Sequence, residues 1–412
     1  MPPPDAIAYH RLIDPPWKDD DRLRTIMRVI AGSDENVRIV GGAVRDALLK
    51  RPVNDIDLAT SALPDLVTTR ARSAGFRVIP TGITHGTVTV IAAGTPFEVT
   101  TLREDIATDG RHATVTFGRD WTKDAGRRDF TINALYADFD GLVIDYVGGI
   151  ADCEARRIRF IGTPEARIRE DYLRILRFYR FCAVIGVTDF DQAAVAAITA
   201  LSNGMDRVSG ERIGQEMQKL VVAEGAVAAL QAMRQHDILR RALGLDSIDL
   251  TAFSRLRLRL AALERADLEM PDNVATVLLA ALVTTETEAM TFVSRLRLSN
   301  AARDRITTAL RARDTLSTMP DAAGLPRLIY RLGSAAFIDG ALLAPSDDVT
   351  AVDRIAAARA FTPKPFPVNG RDLIATGISP GPAIGATLED LTDRWIASGF
   401  TLTREALLAM IG

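Results

Sequence analysis

Strand-forming patterns in this chain stop near residue 150, and helical patterns carry nearly everything from about Glu165 onward. Strands and helices segregated in this way build an α+β unit followed by an all-helical remainder, and they argue against βα alternation throughout. With 412 residues there is room for two or three domains, each burying its own core.

Within the first part, "VRIVGG" reads as a buried strand, "AVRDALLK" as a short helix and "NDIDLAT" as a second strand. "PDLVTTRARSAGF" reads as a helix opened by Pro64, and "HGTVTVIAAGTPFEVTTL" as a hairpin about a Gly-Thr-Pro turn. The polar, glycine-containing stretch from Glu104 to Gly126 predicts a mobile loop near the site, and "DFTINALYADFDGLVIDYVGG" a further helix and strand. Near the end, the Pro- and Gly-rich residues 363–385 predict a loop joining the last helices.

A hydrophobic content of 47% and a charged content of 25% are those of a globular protein in water. No run of eighteen apolar residues suggests a membrane span, and "MPPPDAIAYHRLIDPP" lacks the apolar core of a signal peptide. The expected location is therefore cytoplasmic. Cys153 and Cys182 are the only cysteines, without zinc spacing or a disulfide framework, and are expected as buried thiols. The four histidines are scattered, which argues against a His-based metal site. Net charge is −3, so nucleic-acid binding has to be argued locally. Five lysines stand against forty-five arginines, a bias that a GC-rich genome would produce, so only arginine positions carry weight.

Four local features do carry weight. Gly41 and Gly42 end a strand and open a helix, which lets backbone N–H groups approach an anion, and Arg45 lies one turn in. Asp55 and Asp57, two apart on a strand, project to one face. Two like charges so placed repel unless a cation joins them, and hard oxygen ligands suit Mg²⁺, which also draws on substrate phosphates. Taken alone, Asp-x-Asp reads equally as a solvated turn acid with a helix cap. Glu98 offers a third carboxylate from the hairpin, or is a surface strand residue. In "GRRDFTINALYAD", Arg127, Arg128 and Asp129 are placed at a helix start, where the dipole disfavours arginine unless an anion lies nearby; Asn133 follows four residues later.

"EDYLRILRFYR" spaces Asp171, Arg174, Arg177 and Arg180 by threes, so on one helix they form a drifting ridge with a carboxylate beside a guanidinium. Cytosine and adenine both offer an amino donor next to a ring-nitrogen acceptor, while guanine and uracil present the reverse. An Asp–Arg pair therefore accepts C and A, with a penalty of roughly 1 to 3 kcal/mol against G and U. The alternative is an ordinary intrahelical salt bridge on a solvated face. What favours the template is that all four features fall in order within some 140 residues.

Together, "RIVGGAVRDALLKRPVNDIDLAT", "RRDFTINAL", "EDYLRILRFYR" and "ERIGQEM" resemble the class II tRNA nucleotidyltransferase and bacterial poly(A) polymerase family over residues 37 to about 220. The resemblance implies a polymerase-β-like head at 1–150, a base-selecting neck at 151–225 and a tRNA-binding helical body and tail at 226–412. It implies Mg²⁺ on Asp55 and Asp57, and nucleotide contacts from Gly42, Arg45, Arg127, Arg128, Arg177 and Arg180. Asp171 and Arg174 match the base-selecting pair. Glu211, Arg212 and Glu216 match a motif that braces the neck. The expected substrates are tRNA, CTP and ATP, with no membrane and no obligate protein partner. CCA addition fits better than poly(A) synthesis because no basic C-terminal extension or basic signature after the neck is seen; a CC-adding or A-adding specialist and a non-catalytic RNA-binding protein are the remaining readings. "GISPGPAIG" in the tail reads as an interhelix turn or as a glycine-rich seat for an RNA phosphate.

Overall fold

The computed structural model describes residues 7–83, 86–109, 112–246, 248–318 and 324–411, without the side chains of 104–115. The chain folds into two compact units, 1–242 and 243–412, and every described strand lies in the first.

Ten strands come from the first 145 residues: β1 (Ala8–Arg11), β2 (Val37–Val40), β3 (Asp57–Thr60), β4 (Arg77–Gly82), β5 (Thr87–Ala92), β6 (Thr95–Thr101), β7 (Arg103–Asp109), β8 (His112–Phe117), β9 (Leu135–Ala137) and β10 (Leu142–Asp145). Eight form one sheet in the order β1-β10-β9-β2-β3-β6-β5-β4, parallel only between β3 and β6. Three helices serve this sheet. α1 (Asp21–Ala31), whose first N–H groups are capped by Asp20, packs with α3 (Pro64–Ser73) against β2, β4 and β5, and α2 (Gly42–Leu48) packs on β2 and β9.

Several local expectations are corrected. The hairpin turn falls on Ala93-Gly94, both at positive φ, as a two-residue loop between Ala92 and Thr95 requires, and not on Gly-Thr-Pro. The expected loop at 104–126 is mostly regular: β7 and β8 pair as a separate two-stranded sheet, and α4 (Trp121–Gly126) follows, capped by Asp120. Polar composition masked the alternation in "HATVTF"; residues 110–111 at the tip lie outside the described residues. The expected helix and strand after Asp129 are instead a short 3-10 turn at Thr131–Asn133 followed by β9 and β10.

Beyond the sheet the first unit is helical: α5 (Gly149–Glu154), α6 (Pro164–Glu170), α7 (Arg174–Ile185), α8 (Gln192–Leu201), α9 (Gly210–Val221), α10 (Ala226–Gln235) and α11 (Ile238–Leu243), which spans the boundary. Aromatic packing fixes α7 to the strand-bearing part. Phe130 lies 4.7 Å from Phe160, centroid to centroid, and Phe160 stacks on Phe178 of α7 at 6.0 Å, all three fully buried. Gly149 permits a close approach of α5, since a Cβ there would fall 2.2 Å from the Thr131 carbonyl oxygen. Both cysteines are buried free thiols.

The second unit contains α12 (Thr251–Arg265), α13 (Val274–Ala280), α14 (Glu286–Leu296), α15 (Asn300–Thr318), α16 (Leu325–Leu332), α17 (Ser334–Leu343), α18 (Asp348–Ala360), α19 (Gly370–Ala375), α20 (Pro382–Ala397) and α21 (Arg404–Leu408). α19 interrupts the loop expected at 363–385, its start closed by an Asn369–Asp372 capping box. Leu373, Leu391, Trp395 and Leu407 make a local apolar core for this last part. No helix among the described residues is long and apolar enough to cross a membrane.

Candidate active site

Three stretches far apart in sequence meet around a cleft of about 550 Å³ in the first unit: the β2–α2 junction with the start of β3, residues 127–133, and helices α7 and α9 with the segment before α7. Seven arginines line it against three aspartates, so its walls favour a polyanion.

The acids come first. Asp57 opens β3 opposite Val40, and the parallel register of Leu58 with Val99 brings Glu98 alongside. The chain at Asp55 is the lead-in to the strand, shorter than the sequence suggested, and Asp55 stands just outside the cleft lining. Asp57 is exposed, but lost hydration on its inner side, then the neighbouring Glu98 and Asp55 charges, push its carboxyl above the ordinary range, with Arg128 pulling the other way. Among the described residues no three His, Cys, Asp or Glu side chains converge closely enough to hold a metal ion by themselves; carboxylates are nevertheless the donor type Mg²⁺ takes, one or two at a time, with water and phosphate filling the rest of its shell.

Next to them the chain turns from β2 into α2 through Gly41 at φ +71°. Both Gly41 and Gly42 line the cleft, and the Gly41 N–H is already engaged, donating to the Leu135 carbonyl at 2.9 Å. Arg45 is buried. Its Nη1 donates to Asn133 Oδ1 at 2.9 Å, and its Nε and Nη2 to the Asp46 carboxylate at 3.0 and 2.8 Å.

Arg127 and Arg128 stand at the end of α4 and not at a helix start, which corrects the reading made from sequence. The dipole there favours cations, so no bound anion is needed to hold them. What holds them is Asp124, 1% exposed, which accepts from Arg127 Nε (2.9 Å), Arg128 Nη2 (3.0 Å) and the Tyr136 hydroxyl (2.7 Å). Against burial, which pushes it up, Arg128 and Arg127 hold the Asp124 carboxyl below the usual carboxylate range. Arg167 clamps the same segment by donating to the carbonyls of Arg127 and Arg128.

The ridge is also rearranged. α6 ends at Glu170, Asp171 is extended (φ −157°), and α7 begins at Arg174, so Asp171 and Arg174 do not share a helix. Both still line the cleft. Asp171 is gripped by Arg212 of α9, Nη2 to Oδ2 at 2.7 Å and Nη1 to Oδ1 at 3.2 Å. Arg174 donates through Nη1 to Glu170 and to the Arg167 carbonyl. Arg177 pairs with Asp129 (2.6 Å) and lies 3.6 Å from Glu216, which also accepts from Arg180 Nε. Burial raises the Asp129 carboxyl, but Arg177 outweighs it and keeps the group below its ordinary value. Phe181 offers its ring to Arg45, Arg177 and Arg180, the last at 3.9 Å.

Of the residues chosen from sequence, Gly42, Arg45, Asp57, Arg127, Arg128, Asp171, Arg174, Arg177 and Arg180 line this one cleft, and Asp55 adjoins it. Sequence reasoning missed Asp124, Arg167 and Phe181 altogether. Asp124 had a signal, three and four residues before Arg127 and Arg128, the spacing of helical ion pairs.

A polymerase-β-like sheet with carboxylates at the edge of an arginine-walled cleft is the architecture of a nucleotidyltransferase. Residues 37–159 match the "Poly A polymerase head domain" and 189–243 the "Probable RNA and SrmB- binding site of polymerase A". The chain is 33% identical over 405 residues to the mitochondrial CCA tRNA nucleotidyltransferase 1 of Homo sapiens, covering 94% of this chain and 89% of the relative. It is 32% identical to the CCA-adding enzyme of Levilactobacillus brevis, over 95% and 97% of the two chains. Among solved structures, the Bacillus stearothermophilus CCA-adding enzyme in complex with CTP superposes with a TM-score of 0.78 at 29% identity, covering 97% of each chain. The chain belongs to the CCA-adding tRNA nucleotidyltransferase and poly(A) polymerase family.

Proposed function

We propose that this enzyme adds C, C and A to the 3′ end of tRNA from CTP and ATP, with Mg²⁺ held by Asp55 and Asp57 and the protein serving as template. One observation carries the reading: the Asp57 end of the cleft and the Asp171/Arg174 end face a single space large enough for one nucleotide, with arginines between them.

In this reading the tRNA 3′-hydroxyl attacks the α-phosphate of the incoming nucleotide and pyrophosphate leaves. Mg²⁺ on the Asp pair would lower the pKa of the attacking hydroxyl and offset charge on the leaving oxygen. Arg45, Arg127, Arg128, Arg177 and Arg180 hold the triphosphate. Each guanidinium has five N–H donors, and those engaged by Asp46, Asp124, Asp129 and Glu216 fix the side chains while others stay available for phosphate. Among the described residues the contacts of Arg174 run through Nη1, so it presents its remaining donors to a ring nitrogen, while Asp171 accepts from the exocyclic amino group. Catalysis is assigned to residues 1–150, base selection to 151–225 and tRNA binding to 226–412. The match at 189–243 supports RNA contact beyond the strand-bearing part; it runs across residue 225, and the compact units divide between 242 and 243 and not at the expected 225/226.

The test is incorporation into tRNA transcripts ending before CCA, after C or after CC, with Mg²⁺ and each nucleotide alone or in pairs. Addition of C, C and A followed by arrest is expected. A stop at CC or A-only addition would make it a specialist, a long adenosine tail a poly(A) polymerase, and tRNA binding without extension a binding protein.

A further inference from the structure

We propose that Arg212 is a specificity-positioning residue, which sets nucleotide choice by fixing the plane of the Asp171 carboxylate. The inference rests on the reading of Asp171 as base acceptor.

Asp171 sits at a break in the chain. With α6 ended and α7 not begun, its backbone is extended, and its carboxylate has one local hydrogen bond, Oδ1 accepting from the Leu173 N–H at 3.1 Å. A carboxylate on two rotatable side-chain bonds points wherever its strongest partner directs it. That partner is the Arg212 fork, 41 residues away, which engages both oxygens. A bidentate pair fixes the plane as well as the position of a carboxylate, and a lysine could not reproduce it. α9 is itself held to the cleft one turn further on, where Glu216 accepts from Arg180 and lies close to Arg177.

The consequence for recognition follows from lone pairs. The fork uses one acceptor site on each oxygen and the Leu173 N–H a second on Oδ1; a carboxylate has about four, so one remains, on Oδ2, for the amino group of C or A. Because the plane is fixed, the carbonyl oxygen of U or G meets a carboxylate that cannot turn away, and the repulsion counts in full. Without the fork Asp171 would rotate or admit water, and the penalty would shrink. Arg212 therefore acts on the base end of the cleft and not on the phosphate end.

The experiment measures kcat/KM for CTP, UTP, ATP and GTP on transcripts ending before CCA and after CC, in wild type, R212Q, R212K, D171A and D171A/R212Q. R212Q is expected to lower the CTP/UTP and ATP/GTP ratios about tenfold, with R212K in between. Inhibition by pyrophosphate, which reports the phosphate end, should stay within about twofold. In the D171A background R212Q should change the ratios by less than about twofold, because its route is already cut. If D171A loses discrimination but R212Q or R212K keeps the wild-type ratios, or if R212Q acts equally in the D171A background, Arg212 is only a brace and the inference fails. If D171A itself keeps discrimination, the base-acceptor reading falls and this inference with it. Should R212Q not fold, R212K, which keeps the charge, supplies the same ratios.

Discussion

In the first unit Arg177 reaches into an open cleft, tied to Asp129 and Glu216 but still facing space. In the second, Arg259 is fully buried: Nη1 donates to the carbonyls of Ala341 (3.2 Å), Leu342 (2.8 Å) and Ala344 (2.6 Å), and Nε to Asp348 (3.1 Å). The same side chain thus does two jobs. Arg259 meets the end of α17 and satisfies carbonyls that a helix terminus leaves unpaired. The cleft arginines are anchored on acids at one end and leave donors over. What separates the jobs is the acceptor: backbone carbonyls absorb a guanidinium into the fold, whereas a carboxylate partner beside a cleft holds it ready for an anion.

The strongest way to break this comparison is at the carboxylate edge of the cleft. Asp57→Ala should lower nucleotide incorporation about a thousandfold, some 4 kcal/mol, without lowering the urea midpoint of unfolding. Near-normal incorporation by the variant would remove Asp57 from the chemistry. Arg259→Ala should do the converse. By leaving several buried carbonyls unpaired it should cost about 3 kcal/mol of stability, read from denaturant unfolding, and an unchanged midpoint would show that the carbonyls find other partners. Arg174→Ala sharpens the contrast within the cleft. Discrimination of CTP over UTP should fall by about 1 to 3 kcal/mol, measured as a ratio of kcat/KM, while pyrophosphate inhibition changes less.

The smallest effect concerns pH. Asp129 titrates below the ordinary carboxylate range when folded, so it binds fewer protons than in the unfolded chain. Its contribution to stability is present above the unfolded value, near 3.8, and is lost as pH falls through the lower folded value. Asp339 in the second unit is shifted up, chiefly by burial, despite the Arg305 guanidinium bonded to it at 2.6 Å. Its sign is reversed: stability declines as pH rises from 3.8 through the raised folded value. Asp339→Asn should flatten that decline, and Asp129→Asn should remove part of the loss at more acid pH, both followed by denaturant unfolding across a pH series. Identical slopes in the two variants and the parent would mean that neither acid is linked to folding.

Much of this architecture was legible because it depends on neighbours in the chain. β2, α2, α3 and the helices beyond 164 follow from apolar periodicity, Pro64 at a helix start and glycine at turns, all of them short-range effects of sterics and backbone hydrogen bonding. The cleft residues could be picked out for a related reason, since Asp-x-Asp, Arg-Arg-Asp and the spaced arginines are compact patterns. Reading by polarity alone failed at 104–126, where strands pair, and reading a continuous helix through Asp171 failed because nothing in the spacing announces the break. The partnerships came from folding. Asn133 meets Arg45 across 88 residues, Asp129 meets Arg177 across 48 and Asp171 meets Arg212 across 41. A local pattern states which charges are present and on which element. Which acid quenches which arginine, and which donors stay free for a nucleotide, depends on how the elements pack, because a hydrogen bond is won or lost over a few tenths of an ångström.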